Sequence, residues 1–314
     1  MIESYRRSKC RKGGAMCKFK KIILIITLFF ILPLMSACVD YSSDSKVEES
    51  INKENPKIIA TSMSTVFIME KLNVDLIGVP DSKVDKLPKR YENVEKIGMA
   101  MSPDIEKIKS VNPDWVFSPV SLVSDLQVKY KNAHLRYGFL NLNNVEGMYK
   151  SIKDLGKILN RQKEADALIK EYDDFMKAYK EKNKDKKKPS VLILMGLPGS
   201  YVVATDKSYV GSLIKMSGAK NVFESEKEQF ININTEDMLK KDPDIILRTA
   251  HAMPEDVMKM FKDEFEKNDV WSHFRAVKEK KVYDLDNRKF GMSAKFNYPS
   301  ALEDLQKIFY GGNE

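Results

Sequence analysis

The chain has 314 residues, a formal net charge of +8, three histidines and three cysteines. Eight basic residues and one glutamate fall within the first 37 residues, which leaves a net charge of about +1 on the remainder. This nearly neutral charge gives no argument for a nucleic-acid partner. The three histidines lie at positions 134, 251 and 273 and give little support for a three-histidine metal enzyme site.

The first 37 residues have the pattern of a secretory signal peptide. Lys18, Lys20 and Lys21 precede an apolar run over residues 22–34, which is too short and too soon followed by polar residues for a stable membrane span. Residues 1–15 precede a conventional leader, so we expect translation to begin at Met16.

The segment around Cys38 predicts a lipid anchor. Met35-Ser36-Ala37-Cys38 resembles the lipobox of bacterial lipoproteins, although Met35 departs from the usual Leu, Val or Ile. We expect Cys38 to be lipidated with palmitate among its acyl chains, and the polar residues 38–55 to form a tether. The alternative is an ordinary buried cysteine. No disulfide forms within one mature chain, because Cys38 is its only cysteine.

The first part of the mature chain alternates strand and helix patterns. Short apolar runs predict strands at residues 57–61, 75–79, 115–117 and 136–140, with a helix at residues 64–72. This alternation is typical of a parallel sheet with helices on its faces. We therefore expect an α/β lobe over residues 56–143.

The pattern then changes to sustained helical spacing. From Val145 to about Lys182 the chain has no proline, and its apolar residues recur at helical intervals. A single interlobe helix over residues 144–188 is predicted, and its residues 145–182 alone would span roughly 55 Å. A buried strand at residues 191–195 then opens a second α/β lobe, residues 189–314.

A faint internal repeat links the two lobes. Glu106 and Glu236 each stand seven residues before a Pro-Asp pair that opens a buried strand, and we expect Ser102 and Thr235 to cap the short helices between. The predicted fold class is therefore α/β, with two Rossmann-like lobes joined by a single long helix.

His251 is the candidate functional residue that the pattern places best. It follows a buried strand at residues 244–247, and Pro254 fits the first position of the next helix. Open α/β sheets present loops at the carboxyl ends of their strands to ligands. His251 is thus either a capping or packing residue or a metal ligand.

Longer motifs resemble the lobe-helix-lobe substrate-binding proteins of metal-chelate ABC importers. The likeness covers about residues 55–310 and is greatest to the heme-receptor lipoproteins of the iron-regulated surface determinant system of Gram-positive bacteria. The internal repeat and the late segment 276–283 support the likeness. The other motifs that support it are Leu87-Pro88-x-Arg90-Tyr91, Ile97-Gly98-x-x-Met101, residues 192–201, residues 204–209 and Arg248-x-x-His251-x-Met253-Pro254-Glu255.

The resemblance implies one heme b per chain, held between the lobes by axial ligands Met101 and His251. A thioether and an imidazole are a known axial pair for heme iron. Met99 lies two residues from Met101 and is a competing sulfur donor. Propionate contacts are implied at Met63 and Ser64, where a helix begins, and at Ser82 and Lys83 in the next loop. Lys83 replaces an aromatic residue of the family.

The resemblance also implies partners and a location. Glu106 and Glu236 match the family's permease-docking glutamates, although each also suits the first turn of its helix. We expect a monomer on the extracytoplasmic face of the membrane that takes heme from cell-surface donor proteins and delivers it to an ABC permease.

Two other functions remain open at this point. A ferric siderophore is the alternative ligand within the binding class, and such a ligand needs no axial residue from the protein. An extracellular metal-dependent enzyme that uses His251 is the alternative from another class. It lacks support, because the chain has neither His-Glu-x-x-His nor Gly-x-Ser-x-Gly. We expect no enzymatic activity.

Overall fold

The computed structural model describes residues 55–82 and 85–311. Within these ranges the chain forms two sheets of six strands each and ten α-helices. The predicted α/β class with two sheet-containing lobes is confirmed. No helix in the described part of the chain combines the length and apolar character needed to cross a bilayer.

The first lobe has the strand order β4-β3-β2-β1-β5-β6. All neighbouring strands pair in parallel except β3 and β4, which form an antiparallel hairpin. The strands are β1 (Ile58–Ala60), β2 (Gly78–Asp81), β3 (Glu95–Met99), β4 (Ser102–Pro103), β5 (Trp115–Pro119) and β6 (Tyr137–Leu140). The helices are α1 (Met63–Lys71), α2 (Ile105–Ser110) and α3 (Val123–Asn132).

The sequence placed the second of these strands too early. It predicted residues 75–79, whereas β2 begins at Gly78, whose Cα partner is Ile59. β1 itself begins at Ile58, so the residues before Ile77 have no strand alongside them to pair with.

The second lobe has the order β10-β8-β7-β11-β12, with β9 pairing to β7. β7, β9, β11 and β12 are parallel, whereas β8 and β10 are antiparallel to their neighbours. The strands are β7 (Ser190–Leu197), β8 (Ser200–Ala204), β9 (Lys220–Asn221), β10 (Phe230–Ile231), β11 (Ile245–Ala250) and β12 (Val282–Asp284). Two helices, α4 (Val145–Ile158) and α5 (Gln162–Asn183), precede this lobe, and its own helices are α6 (Tyr209–Met216), α7 (Thr235–Leu239), α8 (Pro254–Lys267), α9 (Arg275–Lys278) and α10 (Tyr298–Tyr310).

The prediction of one long helix between the lobes is wrong. The segment forms two helices, α4 (Val145–Ile158) and α5 (Gln162–Asn183). Asn160 adopts the left-handed region at φ 54°, and the Arg161 N–H donates to the Gly156 carbonyl at 2.7 Å. A short polar residue such as Asn tolerates this conformation and commonly ends a helix.

The two helices pack against each other along their length. Gly156 permits a close approach near the turn, because a Cβ there would lie 2.6 Å from the Ala165 Cβ. Farther from the turn, the rings of Tyr149 and Tyr172 stack at 4.4 Å. α5 therefore runs back along α4, and its 22 residues span only about 33 Å.

The repeat has a structural role that is the same in both lobes. The Asp114 carboxylate accepts from the Lys57 N–H at 2.8 Å, and the Asp244 carboxylate accepts from the Ser190 N–H at 2.8 Å. Each aspartate thus ties the start of its own strand to the start of the first strand of its sheet.

The predicted caps of the two repeat helices are corrected. Asp104 rather than Ser102 caps α2, since its carboxylate accepts from the Lys107 N–H. Asn234 rather than Thr235 caps α7, because Thr235 is already the first helical residue. Ser102 is paired with Met99 in the β3–β4 hairpin and is not at the helix start.

One buried apolar cluster runs through both lobes. It joins β1 and α1 of the first lobe to α4, α5, β7, α6 and α10. Separate clusters cover the other face of each sheet, around Tyr130 in the first lobe and Trp271 in the second. The described residues belong to one compact unit.

Candidate functional site

Three predicted residue groups lie at one edge of the first sheet. Met63 and Ser64 follow β1, Ser82 follows β2, and Met101 follows β3. These three strands are adjacent and parallel, so their carboxyl ends meet at the same edge. In open α/β sheets that edge is where ligands bind.

The start of α1 offers backbone donors at this edge. Ser62 caps the helix: its hydroxyl accepts from the Thr65 N–H at 3.3 Å and lies 2.9 Å from the Thr65 hydroxyl. Met63 and Ser64 occupy the first turn, where N–H groups have no partner within the helix. Their side chains are buried, so it is the backbone that can bind an anion here.

A chain of hydroxyl groups that the sequence did not reveal supports this turn. The Thr61 hydroxyl lies 2.8 Å from the Ser118 hydroxyl, which in turn lies 2.9 Å from the Tyr130 hydroxyl. These residues come from the end of β1, from β5 and from α3. These three hydrogen-bonded hydroxyl groups fix the backbone immediately before α1, and all three residues are buried.

Met101 stands at the tip of the β3–β4 hairpin. Gly98 permits the turn, since its φ of +89° is one that side chains rarely adopt. The side chains of Met101 and Met99 are 65% and 63% exposed, although methionine usually packs in cores. Both thioethers are therefore available to a ligand, and exposure does not distinguish between them.

Ser82 is exposed after β2, and its hydroxyl accepts from the Asp85 N–H at 3.1 Å. The predicted contact at Lys83 lies outside the described residues, as does Cys38.

His251 follows β11, and Pro254 begins α8, as the sequence predicted. The His251 N–H donates to the Gly196 carbonyl at 2.9 Å, which extends the pairing of β11 with β7 by one residue. Gly196 lets α8 approach closely, because a Cβ there would lie 2.2 Å from Val257.

The environment of the His251 imidazole favours its neutral form. The residue is exposed to solvent, yet surrounding protein atoms partly desolvate the ring and lower its pKa from the ordinary 6.5. Only the neutral ring has a lone pair with which to bind a metal ion.

The strand that carries His251 is fixed from two sides. Arg248 makes a bidentate ion pair with Asp284 of β12, at 2.7 and 2.9 Å, and lies over the Phe265 ring of α8. The buried Thr249 hydroxyl donates to the Phe290 carbonyl at 2.9 Å. The loop of His251 therefore begins from a rigid base.

A second-lobe segment after β12 joins the carboxyl edges of the two sheets. The Ala294 N–H donates to the carbonyl of Leu142, just after β6, at 2.8 Å. The Lys295 ammonium pairs with Asp85, in the loop after β2, at 2.7 Å. These contacts place the edge that carries Met101 and Ser82 beside the lobe that carries His251.

The family model described as periplasmic binding protein matches residues 58–289, which is more than half of the chain. The chain belongs to the periplasmic binding protein family.

This periplasmic binding protein is similar to the Staphylococcus aureus (strain Newman) protein named high-affinity heme uptake system protein IsdE. The two are 40% identical over 296 residues, which cover 92% of this chain and 98% of the relative. The resemblance predicted from the motifs is thereby confirmed.

Two solved structures of periplasmic binding proteins are similar to this chain in both sequence and fold. The ABC transporter substrate-binding protein from Listeria monocytogenes EGD-e is 44% identical, with a TM-score of 0.79 over 82% of this chain and 100% of that one. The S. aureus IsdE structure complexed with heme is 40% identical, with a TM-score of 0.77 over 82% of this chain and 99% of that one.

The predicted docking residues lie in the repeat helices of this periplasmic binding protein. Glu106 is in the first turn of α2 and Glu236 in the first turn of α7. Glu106 pairs with Lys109 at 3.2 Å, yet its side chain is 82% exposed, and Glu236 is also exposed. Both carboxylates are available to a basic partner.

A cavity of about 450 Å³ lies elsewhere, between α4, α5 and α6, and lysines line much of its rim. None of the residues predicted for ligand binding lines it. Among the described residues, no group of three His, Cys, Asp or Glu side chains is arranged to hold a bare metal ion.

Proposed function

We propose that this protein binds heme and delivers it to an ABC permease for iron acquisition. Its likeness to a protein named for high-affinity heme uptake supports this function. The observation that carries it is a pair of donor groups: an exposed thioether at the β3–β4 turn and a partly desolvated imidazole after β11.

In this proposal Met101 and His251 are the axial ligands of one heme b. A methionine–histidine pair satisfies both axial positions of the iron and raises its reduction potential. Because each lobe supplies one ligand, binding depends on both lobes at once. Met99 is the competing sulfur donor, since its exposure nearly equals that of Met101.

The propionates are held by the carboxyl edge of the first sheet. The backbone N–H groups of Met63 and Ser64 lie at the positive end of α1, which favours a carboxylate. Ser82 in the next loop supplies a hydroxyl, and the neighbouring Lys83 supplies a cation. The buried hydroxyl chain behind α1 supports a preformed site.

The protein acts outside the cytoplasmic membrane as a monomer. Lipidation at Cys38 anchors it on the extracytoplasmic face, where it takes heme from cell-surface donor proteins. Glu106 and Glu236, one in each lobe, dock on basic residues of the permease. The protein performs no covalent chemistry, because its task is selective and reversible ligation.

Titration of the purified protein with hemin tests the function. We expect one equivalent to produce a sharp Soret band together with the charge-transfer band of a methionine–iron bond. A matched titration with a ferric siderophore should leave the intrinsic fluorescence unchanged. A siderophore that binds while hemin gives only the spectrum of free hemin would overturn the proposal in favour of that other ligand class.

A further inference from the structure

In the second lobe, four of the five residues from Ala294 to Tyr298 contact the first lobe and its adjoining helices. We call this segment the interlobe clasp. Ala294 bonds to Leu142, and Lys295 pairs with Asp85. The ring of Phe296 lies 6.0 Å from the Lys71 ammonium.

Aromatic packing makes the end of the clasp rigid. The Tyr298 ring meets Tyr149 of α4 and both Tyr172 and Phe175 of α5, edge to face, at 5.8 to 6.1 Å. The Tyr149 and Tyr298 hydroxyls lie 3.3 Å apart. The clasp is thus fixed at Tyr298 and extends toward the edge where the ligand binds.

The Lys295–Asp85 pair is the part of the clasp nearest to the candidate site. Its atoms lie 2.7 Å apart, and the two side chains are only 19% and 21% exposed. The Asp85 backbone N–H donates to the Ser82 hydroxyl. Two interactions in series therefore connect Lys295 of the second lobe to Ser82 of the first.

We propose that Lys295 is a positioning residue for ligand binding: through Asp85 it holds Ser82 in place beside the second lobe. This inference rests on the proposed function, since Ser82 is then a propionate contact. Lys295 also neutralises the Asp85 carboxylate. Without Lys295, this carboxylate would repel a propionate of the ligand bound at Ser82, which lies three residues before Asp85. The pair thus contributes both geometry and charge balance.

Hydrogen exchange of the protein without heme tests the clasp directly. In Lys295→Met we expect the Ala294 amide, which bonds across the lobes, to exchange about fivefold faster than in the wild type. The control is Lys289→Met, which breaks the Lys289–Asp304 pair, where both partners belong to the second lobe and are similarly buried. If the Ala294 amide exchanges at the same rate in the wild type, Lys295→Met and Lys289→Met, the inference that Lys295 stabilises the interlobe clasp is overturned.

Heme release to excess apomyoglobin tests the positioning role. We expect Lys295→Met to release heme about fivefold faster than the wild type, and Lys289→Met to match the wild type. The exchanged pair Asp85→Lys with Lys295→Asp should return the rate to within about twofold, because it rebuilds the contact. If the exchanged pair does not restore the wild-type rate of heme release, the positioning role of Lys295 is overturned.

A ligand without carboxylates separates charge from geometry. For heme dimethyl ester, Lys295→Met and Asp85→Asn should release the ligand equally fast. For heme, Asp85→Asn should retain the ligand better, since it leaves a cation rather than an anion beside the propionate. Identical behaviour of both variants toward both ligands would overturn the charge argument. Failure of wild-type protein to bind heme would overturn the proposed function alone, because exchange at Ala294 is measured without it.

Discussion

At the scale of single residues, His251 shows how backbone geometry and local desolvation together suit a residue to its proposed role as a ligand. Its loop starts from a strand fixed by Arg248 and Thr249, and local desolvation favours the neutral imidazole. His273 is the matched control, because it is exposed as His251 is but lies at the end of a short 3-10 helix rather than after β11.

His251→Ala should lower heme affinity by at least about tenfold, because the iron loses one of its two protein ligands. The Soret maximum should shift as a solvent ligand or an open position replaces the imidazole. His273→Ala should bind heme as the wild type does. Affinities of His251→Ala and His273→Ala that agree with each other would contradict the assignment, and absorption titrations measure both.

The second residue-scale prediction separates two methionines of nearly equal exposure. Met101→Ala should remove the methionine–iron charge-transfer band and weaken heme binding more mildly than His251→Ala does. Met99→Ala should keep the band, since the proposal assigns the iron–sulfur bond to Met101 rather than to Met99. If the band disappears from Met99→Ala and persists in Met101→Ala, then Met99 is the sulfur donor.

At the scale of secondary-structure elements, Asp244 gives the β7–β11 junction a dependence on pH. Burial alone raises the pKa of this carboxyl. Hydrogen bonds from the Ser190 N–H and hydroxyl, together with Arg275, outweigh that effect and lower the pKa from 3.8 to about 2. The stabilisation is therefore complete above about pH 4 and is lost as pH falls through 2.

Asp244→Asn should lower the melting temperature by several degrees at pH 7, and the difference from the wild type should shrink toward pH 2. There the wild-type carboxyl is itself becoming neutral. Asp263→Asn, in an exposed pair with Lys267 on α8, is the control and should have little effect at either pH. A difference that stays constant from pH 7 to pH 2 would contradict the interpretation, and calorimetry measures it.

The elements also show what the sequence could and could not predict. Local patterns predicted β1, β2, β5 and β6 of the first lobe, β7 and β11 of the second lobe, and the Pro254 helix start, because apolar runs and proline act within a few residues. They missed the break between α4 and α5, since apolar spacing continues across Asn160 and only its left-handed backbone ends the helix. The Lys295–Asp85 pair joins residues 210 positions apart, so no local pattern marks it.

At the scale of the whole molecule, Glu106 and Glu236 test the interaction with a permease. The double variant Glu106→Ala with Glu236→Ala should bind heme normally and yet reduce heme uptake by cells, because each carboxylate is exposed and lies in a repeat helix rather than among the predicted ligand contacts. The control removes two other exposed glutamates in helical ion pairs, Glu181 and Glu266, and should leave uptake unchanged. Equal uptake by both double variants would contradict the docking role.

The apolar cluster that passes through both lobes has a consequence for how the chain folds. Its members come from both sheets and from the helices between them, so neither lobe completes its own interior without the other. The two halves of the repeat are similar in pattern but are not independent folding units. We therefore expect denaturation to be a single cooperative event. We also expect a chain interrupted during synthesis before α10 to expose an unfinished apolar surface on the part already made.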